Sequence, residues 1–255
     1  MEEGRYIYCI VNSGVETSLG KIGIEDSEVY TMPHRDIAAV VHSCEAKPYD
    51  TKDEDKAKEW IMTHLYVIDE ATKRFGTVAP FGFDTIIKGD GERVKACLEE
   101  EYARLKGVLD RVKDRSEYGI QIFWDESLMA RRIEETDEEL GELKGDIKAK
   151  PKGAAYMLER KSEKMLKEAL LVEAEKYRKK FYEEVSRYVD DVKLDETSKP
   201  EEWQDKKMLM RLSCLARSDE VEKLGEVLEK INKMDGFAVR FTGPWAPFSF
   251  VGEGK

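Results

Sequence analysis

The stretch from Ala154 to about Val192 limits the possible folds of this chain more than any other part of it. Apolar residues recur there at steps of three and four, with Lys, Arg and Glu between them, which is the pattern of an amphipathic helix. At 1.5 Å per residue, an unbroken helix over this stretch would extend roughly 55 to 60 Å, longer than a domain of this size is wide. The helical segment, placed at residues 152–192, is therefore expected either to protrude or to fold back near its midpoint.

The residues on either side of this segment predict further helices and strands. Pro151 and Gly153 in "KAKPKG" interrupt a preceding charged helix, because proline cannot donate a backbone hydrogen bond and glycine is conformationally permissive. In chain order we predict a strand at Ser116–Glu126, a helix from Leu128 to Ile147, the long segment, a polar loop at Leu194–Trp203, a strand at Lys207–Ala216, a helix capped by Ser218 and a strand at Gly236–Gly243. This order is typical of a modified ferredoxin-like sheet.

The first part of the chain predicts a small mixed sheet with helices. Strand patterns occur at Arg5–Val11, in "SEVYTM" and at Asp36–Cys44, and the last is apolar enough to be buried on both faces. Further along we predict a helix over Ala57–Phe75 with Trp60, Ile61, His64 and Leu65 on its apolar stripe, two short extended segments around a bend in Gly76–Lys88, and a helix from Gly89 to about Lys113. We therefore predict an α+β protein of two domains, residues 1–115 and 116–255.

Charge and hydropathy exclude several classes of partner. The chain has 43 basic and 54 acidic residues and a net charge of −11, which opposes binding to nucleic acid or to an anionic lipid membrane. The longest aliphatic run, Ile37–Val41, is far short of the ~20 residues of a membrane helix, so we expect a cytoplasmic protein. The four scattered cysteines are typical of reduced, mostly buried thiols rather than of disulfides or a zinc site.

Common catalytic motifs are missing from the sequence, which contains neither a G-x-S-x-G elbow, a phosphate-binding glycine loop nor an H-E-x-x-H pair. His34 and His42 could form a site with Asp36, but solvated strand ends explain them more simply. His64 lies on an apolar helix stripe, where a core histidine bonded through one ring nitrogen is the simplest reading. We predict no cofactor and no metal; an enzyme that uses His64 with Asp84 or a glutamate is the alternative.

One string near the C-terminus is more specific than any other in the chain. In "TGPWAPFSFV" (Thr242–Val251), the prolines hold a rigid corner that presents Trp245, and the following aromatic residues bury the tail. It resembles the closing motif of the gas vesicle protein F/L family, GvpF/GvpL, with Ala246 in place of a proline and Phe248 in place of a tyrosine. Further segments similar to this family are "RYIYCIV", "HLYVIDEA" (His64–Ala71), "TVAPFGFDTI" (Thr77–Ile86) and "PKGAAYMLERK" (Pro151–Lys161).

The resemblance implies an accessory or minor structural protein of gas vesicle assembly, located in the cytoplasm and at the gas vesicle, without enzymatic activity. Its implied partners are the small hydrophobic main shell protein and other gas vesicle accessory proteins. A soluble, acidic partner that covers the apolar face of the shell subunit would keep it dispersed until assembly. The sequence leaves open the oligomeric state and whether the chain is F-like or L-like.

Aromatic residues and one histidine on predicted helices and bends are the candidates for partner contact: Trp60, His64, Phe81, Phe83, Tyr177, Phe181, Tyr188 and Trp245. The aromatic side chains of the long helix require some packing surface, which either its own domain or a second chain could supply. A coiled-coil adaptor unrelated to gas vesicles is therefore a further alternative.

Overall fold

The computed structural model describes residues 2–149, 151–195 and 202–252. In chain order its elements are β1 (Glu3–Val11), β2 (Ser18–Gly20), β3 (Val29–His34), β4 (Ile37–Glu45), α1 (Glu54–Phe75), β5 (Val78–Pro80), β6 (Ile86–Lys88), α2 (Gly91–Glu100), α3 (Tyr102–Arg111), β7 (Arg115–Trp124), α4 (Glu126–Thr136), α5 (Glu138–Ala149), α6 (Lys152–Ser186), β8 (Asp191–Leu194), β9 (Glu202–Trp203), β10 (Lys206–Arg217), α7 (Val221–Asn232), β11 (Phe237–Trp245) and α8 (Phe248–Val251). The mixture of antiparallel sheets and helices confirms the predicted α+β class.

The chain divides into two units, which we call unit 1 and unit 2. Unit 1 contains Met1–Glu117 and Gly243–Lys255, and unit 2 contains Tyr118–Thr242. The first change of unit lies two residues from the predicted boundary at 115. The tail differs from the predicted domain 116–255, because residues 243–252 pack with unit 1, where the Phe250 side chain is fully buried. The division into two domains, 1–115 and 116–255, stays a prediction.

Unit 1 is built on a six-stranded sheet in the order β2-β3-β4-β1-β5, with β6 also paired to β1. The central strands β1 and β4 are antiparallel, and their register places Tyr6 opposite His42. Residues 37–42 are all buried, as predicted for a strand covered on both faces. The helix α1 begins after Asp53, whose carboxylate accepts the amides of Asp55 and Lys56.

The predicted helix from Gly89 to about Lys113 is in fact two helices, α2 and α3. Glu101 leaves helical geometry between them, with φ −100° and ψ 5°. Leu98 of α2 and Leu105 of α3 then both pack in the same core cluster as Ile7 of β1. The break therefore lets both short helices turn an apolar side toward the sheet.

Unit 2 contains a sheet with the strand order β11-β7-β10-β8, and β9 pairs with β10. Counted along the chain, the four principal strands β7, β8, β10 and β11 lie in the order 4-1-3-2, which agrees with the predicted ferredoxin-like arrangement. Buried residues from the sheet, α6 and α7 form one core, including Ile120, Phe181 and Leu224.

The long helix α6 is continuous over 35 residues, so of the two alternatives the fold-back near its midpoint is wrong. It contains no glycine or proline after Gly153, and nothing interrupts its backbone hydrogen bonds. The chain reverses earlier, at Pro151, because α5 packs along α6 and buries Leu140 and Leu143. The helix also ends at Ser186, short of the predicted Val192, which lies in strand β8.

Four other boundaries differ from the predictions. The helix predicted from Leu128 to Ile147 breaks at Asp137, whose carboxylate accepts the Leu140 amide and so caps α5. The residue before α7 is Glu220, without a side-chain cap, rather than Ser218. The strand predicted to end at Gly243 continues to Trp245. Of the predicted loop Leu194–Trp203, its two ends belong to strands β8 and β9, and residues 196–201 lie outside the described residues.

Among the described helices, none combines the length and the hydropathy that crossing a membrane requires.

Candidate protein-binding groove

A groove with a volume of about 660 Å³ lies on unit 1, between the outer side of α1 and the segment Pro244–Phe248. We call it the α1 groove. Its lining is mostly apolar and comprises Met62, Leu65, Tyr66, Ile68, Asp69, Thr72, Gly76, Thr77, Val78, Asp114, Arg115, Ser116, Pro244, Trp245, Ala246, Pro247 and Phe248. A groove of this size falls within the range of pockets that bind ligands or protein side chains.

The helix α1 exposes apolar residues on the side that faces away from its own core. Its inner side buries Val67, Ile68 and Ala71 against the sheet. On its outer side, Met62 is 65% exposed and Tyr66 is 50% exposed. A surface helix normally carries polar residues there, and a contiguous exposed apolar patch is typical of a protein-binding surface.

The opposite wall of the groove is the closing segment, whose Trp245 side chain is 57% exposed. The residues that follow it are anchored in unit 1. The Ser249 amide and hydroxyl donate to the two carboxylate oxygens of Glu117 at 2.8 and 2.6 Å, and the Arg111 guanidinium donates to the Phe250 carbonyl. Two prolines, Pro244 and Pro247, restrict the backbone around Trp245. The tryptophan is therefore held at the surface by a fixed backbone, which lowers the entropy lost on binding.

Polar residues also line the α1 groove, and most of them have partners. The Asp69 carboxylate lies 2.8 Å from the Lys73 ammonium, and the Asp114 amide donates to the Thr77 hydroxyl at 3.0 Å. Arg115 donates to the Lys113 carbonyl at 2.8 Å. A mostly apolar lining with a small number of polar groups is the usual composition of a binding pocket.

Beneath α1, His64 connects the helix to the sheet through both ring nitrogens, whereas the sequence predicted one. Nε2 lies 3.1 Å from the Phe81 carbonyl, which can only accept, so Nε2 carries the proton. Nδ1 then accepts from the Tyr6 hydroxyl at 2.9 Å, and that hydroxyl accepts from the Asp84 amide at 3.0 Å. Burial lowers the pKa of His64 to about 4, against a smaller opposing effect of the Phe81 carbonyl. His64 is thus neutral and structural in this conformation.

His42 is fully buried, so its interpretation as a solvated strand end is wrong. Its Nδ1 lies 2.8 Å from the Tyr8 hydroxyl and its Nε2 lies 3.1 Å from the Tyr49 hydroxyl. Desolvation lowers the pKa of His42 to about 4 and raises the pKa of Tyr8. Asp36 is exposed and accepts from the Tyr102 hydroxyl, so it does not join His42 in a site. The sequence pattern missed this burial because it depends on the pairing of β4 with β1.

The eight predicted contact residues lie in different environments. Trp60, His64 and Phe181 are buried, and Phe81 and Phe83 are half-buried in unit 1. Tyr177 and Tyr188 are half-buried against the core of unit 2. Only Trp245 among the eight is exposed and lines the α1 groove, so a partner can reach it without opening the fold.

The prediction missed three groove residues: Met62, Leu65 and Tyr66. Leu65 was placed on the inner stripe of α1, yet it is 39% exposed. A signal was present in the sequence, because Ile61, Met62, Leu65 and Tyr66 widen the apolar stripe beyond one helix face. The angular width of this stripe indicates a second apolar side of α1.

Metal binding has no support among the residues that the structure describes, where no group of three or more His, Cys, Asp or Glu side chains is placed to hold an ion. The four cysteines are free thiols; Cys9 and Cys214 are buried, and Cys44 and Cys97 are half-buried.

Comparison with known proteins gives concordant matches over nearly the whole chain. Residues 4–252 match the family described as gas vesicle synthesis protein GvpL/GvpF. Gas vesicle protein L1 of Halobacterium salinarum is 31% identical over 257 residues, covering 98% of this chain and 91% of that protein. Gas vesicle protein L of Haloferax mediterranei is 28% identical, covering 98% and 88%. The crystal structure of the gas vesicle protein GvpF from Anabaena has the same fold, with a TM-score of 0.78 at 17% identity, covering 99% of this chain and all of that one.

Proposed function

The chain belongs to the GvpL/GvpF family of gas vesicle synthesis proteins, which supports a role in gas vesicle assembly, and we propose that it performs this role by binding the hydrophobic main shell subunit in the α1 groove. In this proposal the protein keeps the subunit assembly-competent and also contacts other gas vesicle accessory proteins. It acts by non-covalent binding, in the cytoplasm and at the gas vesicle.

The observation that carries the proposal is the apolar α1 groove with Met62, Tyr66 and Trp245 at its surface. Exposure of an apolar shell subunit to water before assembly raises its free energy by roughly 25 cal/mol for each Å² of apolar surface. Covering part of that surface with a preformed groove stabilises the separate subunit. The net charge of −11 then keeps the complex dispersed by mutual repulsion.

The arrangement of the side chains favours this proposal over the two alternatives. A coiled-coil adaptor needs the apolar stripe of α6 for its partner, but Phe181 and Val185 of that stripe are buried in unit 2. An enzyme that uses His64 with Asp84 needs their side chains to meet. His64 instead bonds to Tyr6 and Phe81, while the Asp84 carboxylate accepts the Tyr49 amide at 3.1 Å.

The test is a mixing experiment with the purified chain and the main shell subunit from the same gas vesicle gene cluster. The amount of shell subunit that remains in the supernatant after centrifugation measures its protection, and co-purification measures its binding. The double variant Met62→Glu, Tyr66→Glu and the single variant Trp245→Ala should each weaken binding roughly tenfold or more, because they remove central apolar contacts.

A matched control is the double variant Leu171→Glu, Val172→Glu, which introduces the same two charges at residues of α6 in unit 2 that are 63% and 70% exposed. It should leave binding unchanged. Circular dichroism and the melting temperature establish that each variant is folded. The proposal fails if folded α1-groove variants bind and protect the shell subunit as well as the original protein does.

A further inference from the structure

Unit 2 has a second groove, between α6 and α7, with a volume of about 360 Å³. We call it the cationic groove. Its apolar part consists of Tyr188, two residues after the end of α6, and of Val227, Ile231 and Met234 from α7 and the turn after it. Its charged lining consists of Lys180, Glu184, Arg187 and Lys230. Three cationic side chains thus surround an apolar floor, with one carboxylate among them.

The cations of this groove are not neutralised by neighbouring carboxylates. In the part of the chain that the structure describes, none of Lys180, Arg187 and Lys230 forms an ion pair. Other lysines on or beside the same two helices do: Lys176 pairs with Glu173 and Lys233 pairs with Glu229. The cations at the groove are therefore available to a partner.

We propose that the cationic groove binds an amphipathic helix of a partner protein whose apolar stripe is flanked by acidic residues. The apolar stripe of such a helix would lie on Tyr188 and Met234, the half-buried apolar residues of the lining, in the way that amphipathic helices occupy grooves between helices. Its carboxylates would pair with Lys180, Arg187 and Lys230. Arginine suits this role because its planar guanidinium can hold a carboxylate through two hydrogen bonds.

The charge of the whole protein favours a protein partner over nucleic acid or lipid. A net charge of −11 repels extended polyanions and anionic membranes, and three cations do not offset that repulsion over a long surface. The three cations are sufficient to attract a short acidic segment to the groove. Interactions between exposed charges are screened beyond about 10 Å at 0.1 M salt, so the more distant negative charges of the protein repel such a segment only weakly. The apolar part of the groove favours a helix over a free inorganic anion, because an anion has no apolar surface to bury there.

This proposal is independent of shell-subunit binding, because it uses none of the residues of the α1 groove. The two grooves also differ in the chemistry that they recognise, apolar in unit 1 and acidic with an apolar stripe in unit 2. Either proposal can fail while the other holds.

The test measures binding of a labelled synthetic helix of about 18 residues to the full-length protein by fluorescence anisotropy. In the first peptide, leucines at helical spacing are flanked by glutamates; in the second, lysines replace the glutamates. The acidic peptide should bind at least about tenfold more tightly, and its affinity should fall as salt rises, because charge pairs at a rim are screened.

The double variant Lys180→Glu, Arg187→Glu should weaken binding of the acidic peptide roughly tenfold and reduce its salt dependence. The matched control is Lys179→Glu, Lys223→Glu, which makes the same charge change on α6 and α7 outside the groove lining. This control should change binding only slightly. Met234→Ala should weaken binding of the acidic peptide without changing the salt dependence of that binding.

Three results would overturn the proposal. The two peptides could bind equally, the control variant could lose as much affinity as the groove variant, or the folded groove variant could bind normally. Inorganic phosphate and vesicles containing phosphatidylglycerol serve as further probes. If either binds at the groove while the acidic peptide does not, the site recognises a free anion or a lipid headgroup, and the helix proposal is wrong.

Discussion

Unit 1 and unit 2 stabilise their interiors by different means. In unit 1, the side chains of Tyr6, Tyr8, His42 and His64 are buried beside one another and joined by hydrogen bonds. In unit 2, the rings of Tyr177, Phe181 and Phe237 lie in the core and pack against one another. A buried hydrogen bond requires a particular orientation of both partners, whereas apolar packing requires complementary shape. Unit 1 should therefore respond to protonation and unit 2 to changes of volume.

The surfaces of the two units differ in polarity, and the order is the reverse of that in their interiors. Unit 1 exposes apolar residues in the α1 groove, and unit 2 presents cations around the cationic groove. A rigid polar interior beneath α1 holds Met62 and Tyr66 in position at the surface. His64 joins α1 to Tyr6 and Phe81, so this buried histidine also fixes the helix that exposes Met62 and Tyr66.

The largest effect should come from truncating the core of unit 2. Phe181 is fully buried, and its ring lies 5.2 Å from the ring of Phe237 in an edge-to-face arrangement. Phe181→Ala should lower the free energy of unfolding by about 3 to 5 kcal/mol, because it leaves a cavity and removes ring contacts. Urea denaturation measures the change. Tyr182→Ala, at an exposed neighbour, should cost less than about 1 kcal/mol; equal losses would contradict the distinction between core and surface of α6.

An intermediate effect should come from acid. Burial lowers the folded-state pKa of His42 and His64 to about 4, from 6.5 in the unfolded chain. Between these values the unfolded state binds more protons, so stability falls as the pH is lowered through this range. The loss should be about 2 kcal/mol for each histidine between pH 7 and pH 4.5.

His64→Gln separates this contribution from that of the carboxylates, because glutamine can still donate and accept hydrogen bonds but does not titrate. The difference in unfolding free energy between the variant and the original protein should shrink as the pH falls. All three histidines lie in unit 1, so hydrogen exchange should show the loss of protection at low pH first there. A constant difference across this pH range would show that His64 does not destabilise the fold on protonation.

The smallest effect should distinguish the starts of two helices. The Asp53 carboxylate accepts two backbone amides at the start of α1, whereas Glu220 precedes α7 without a side-chain hydrogen bond. Asp53→Ala should lower the free energy of unfolding by about 1 kcal/mol, and Glu220→Ala should change it by less than about 0.5 kcal/mol. Thermal or urea unfolding of both variants provides the comparison. Equal effects would indicate that the loss of a negative charge at the helix start, rather than the loss of a cap, accounts for both.

Local patterns were sufficient to predict the principal elements. The spacing of apolar residues in α1 and the strand character of β1, β4 and β10 are confirmed. The breaks at Glu101 and Asp137 were missed because the apolar spacing continues through both positions. Each break changes the direction of a helix so that both halves reach the core. The position of the break depends on packing against distant parts of the fold rather than on the neighbouring residues.

The candidate site was predicted only in part. Trp245 was identified because prolines surround it and an apolar tail follows, all within ten residues. Met62 and Tyr66 were missed because the sequence of α1 does not determine which of its apolar sides faces the sheet. The cationic groove was missed for the same reason, since Arg187 and Lys230 are distant in sequence and meet only where α6 lies beside α7.

The sequence by itself determined the family, the α+β class and the order of helices and strands, because helical and strand periodicity, proline breaks and short motifs act between neighbouring residues. The tertiary structure alone decided that α6 remains one helix, that His42 is buried and that an apolar side of α1 stays at the surface. These outcomes depend on which distant segments pack together. Burial is a property of the whole fold, and the free energy of each side chain follows from the neighbours that the fold supplies.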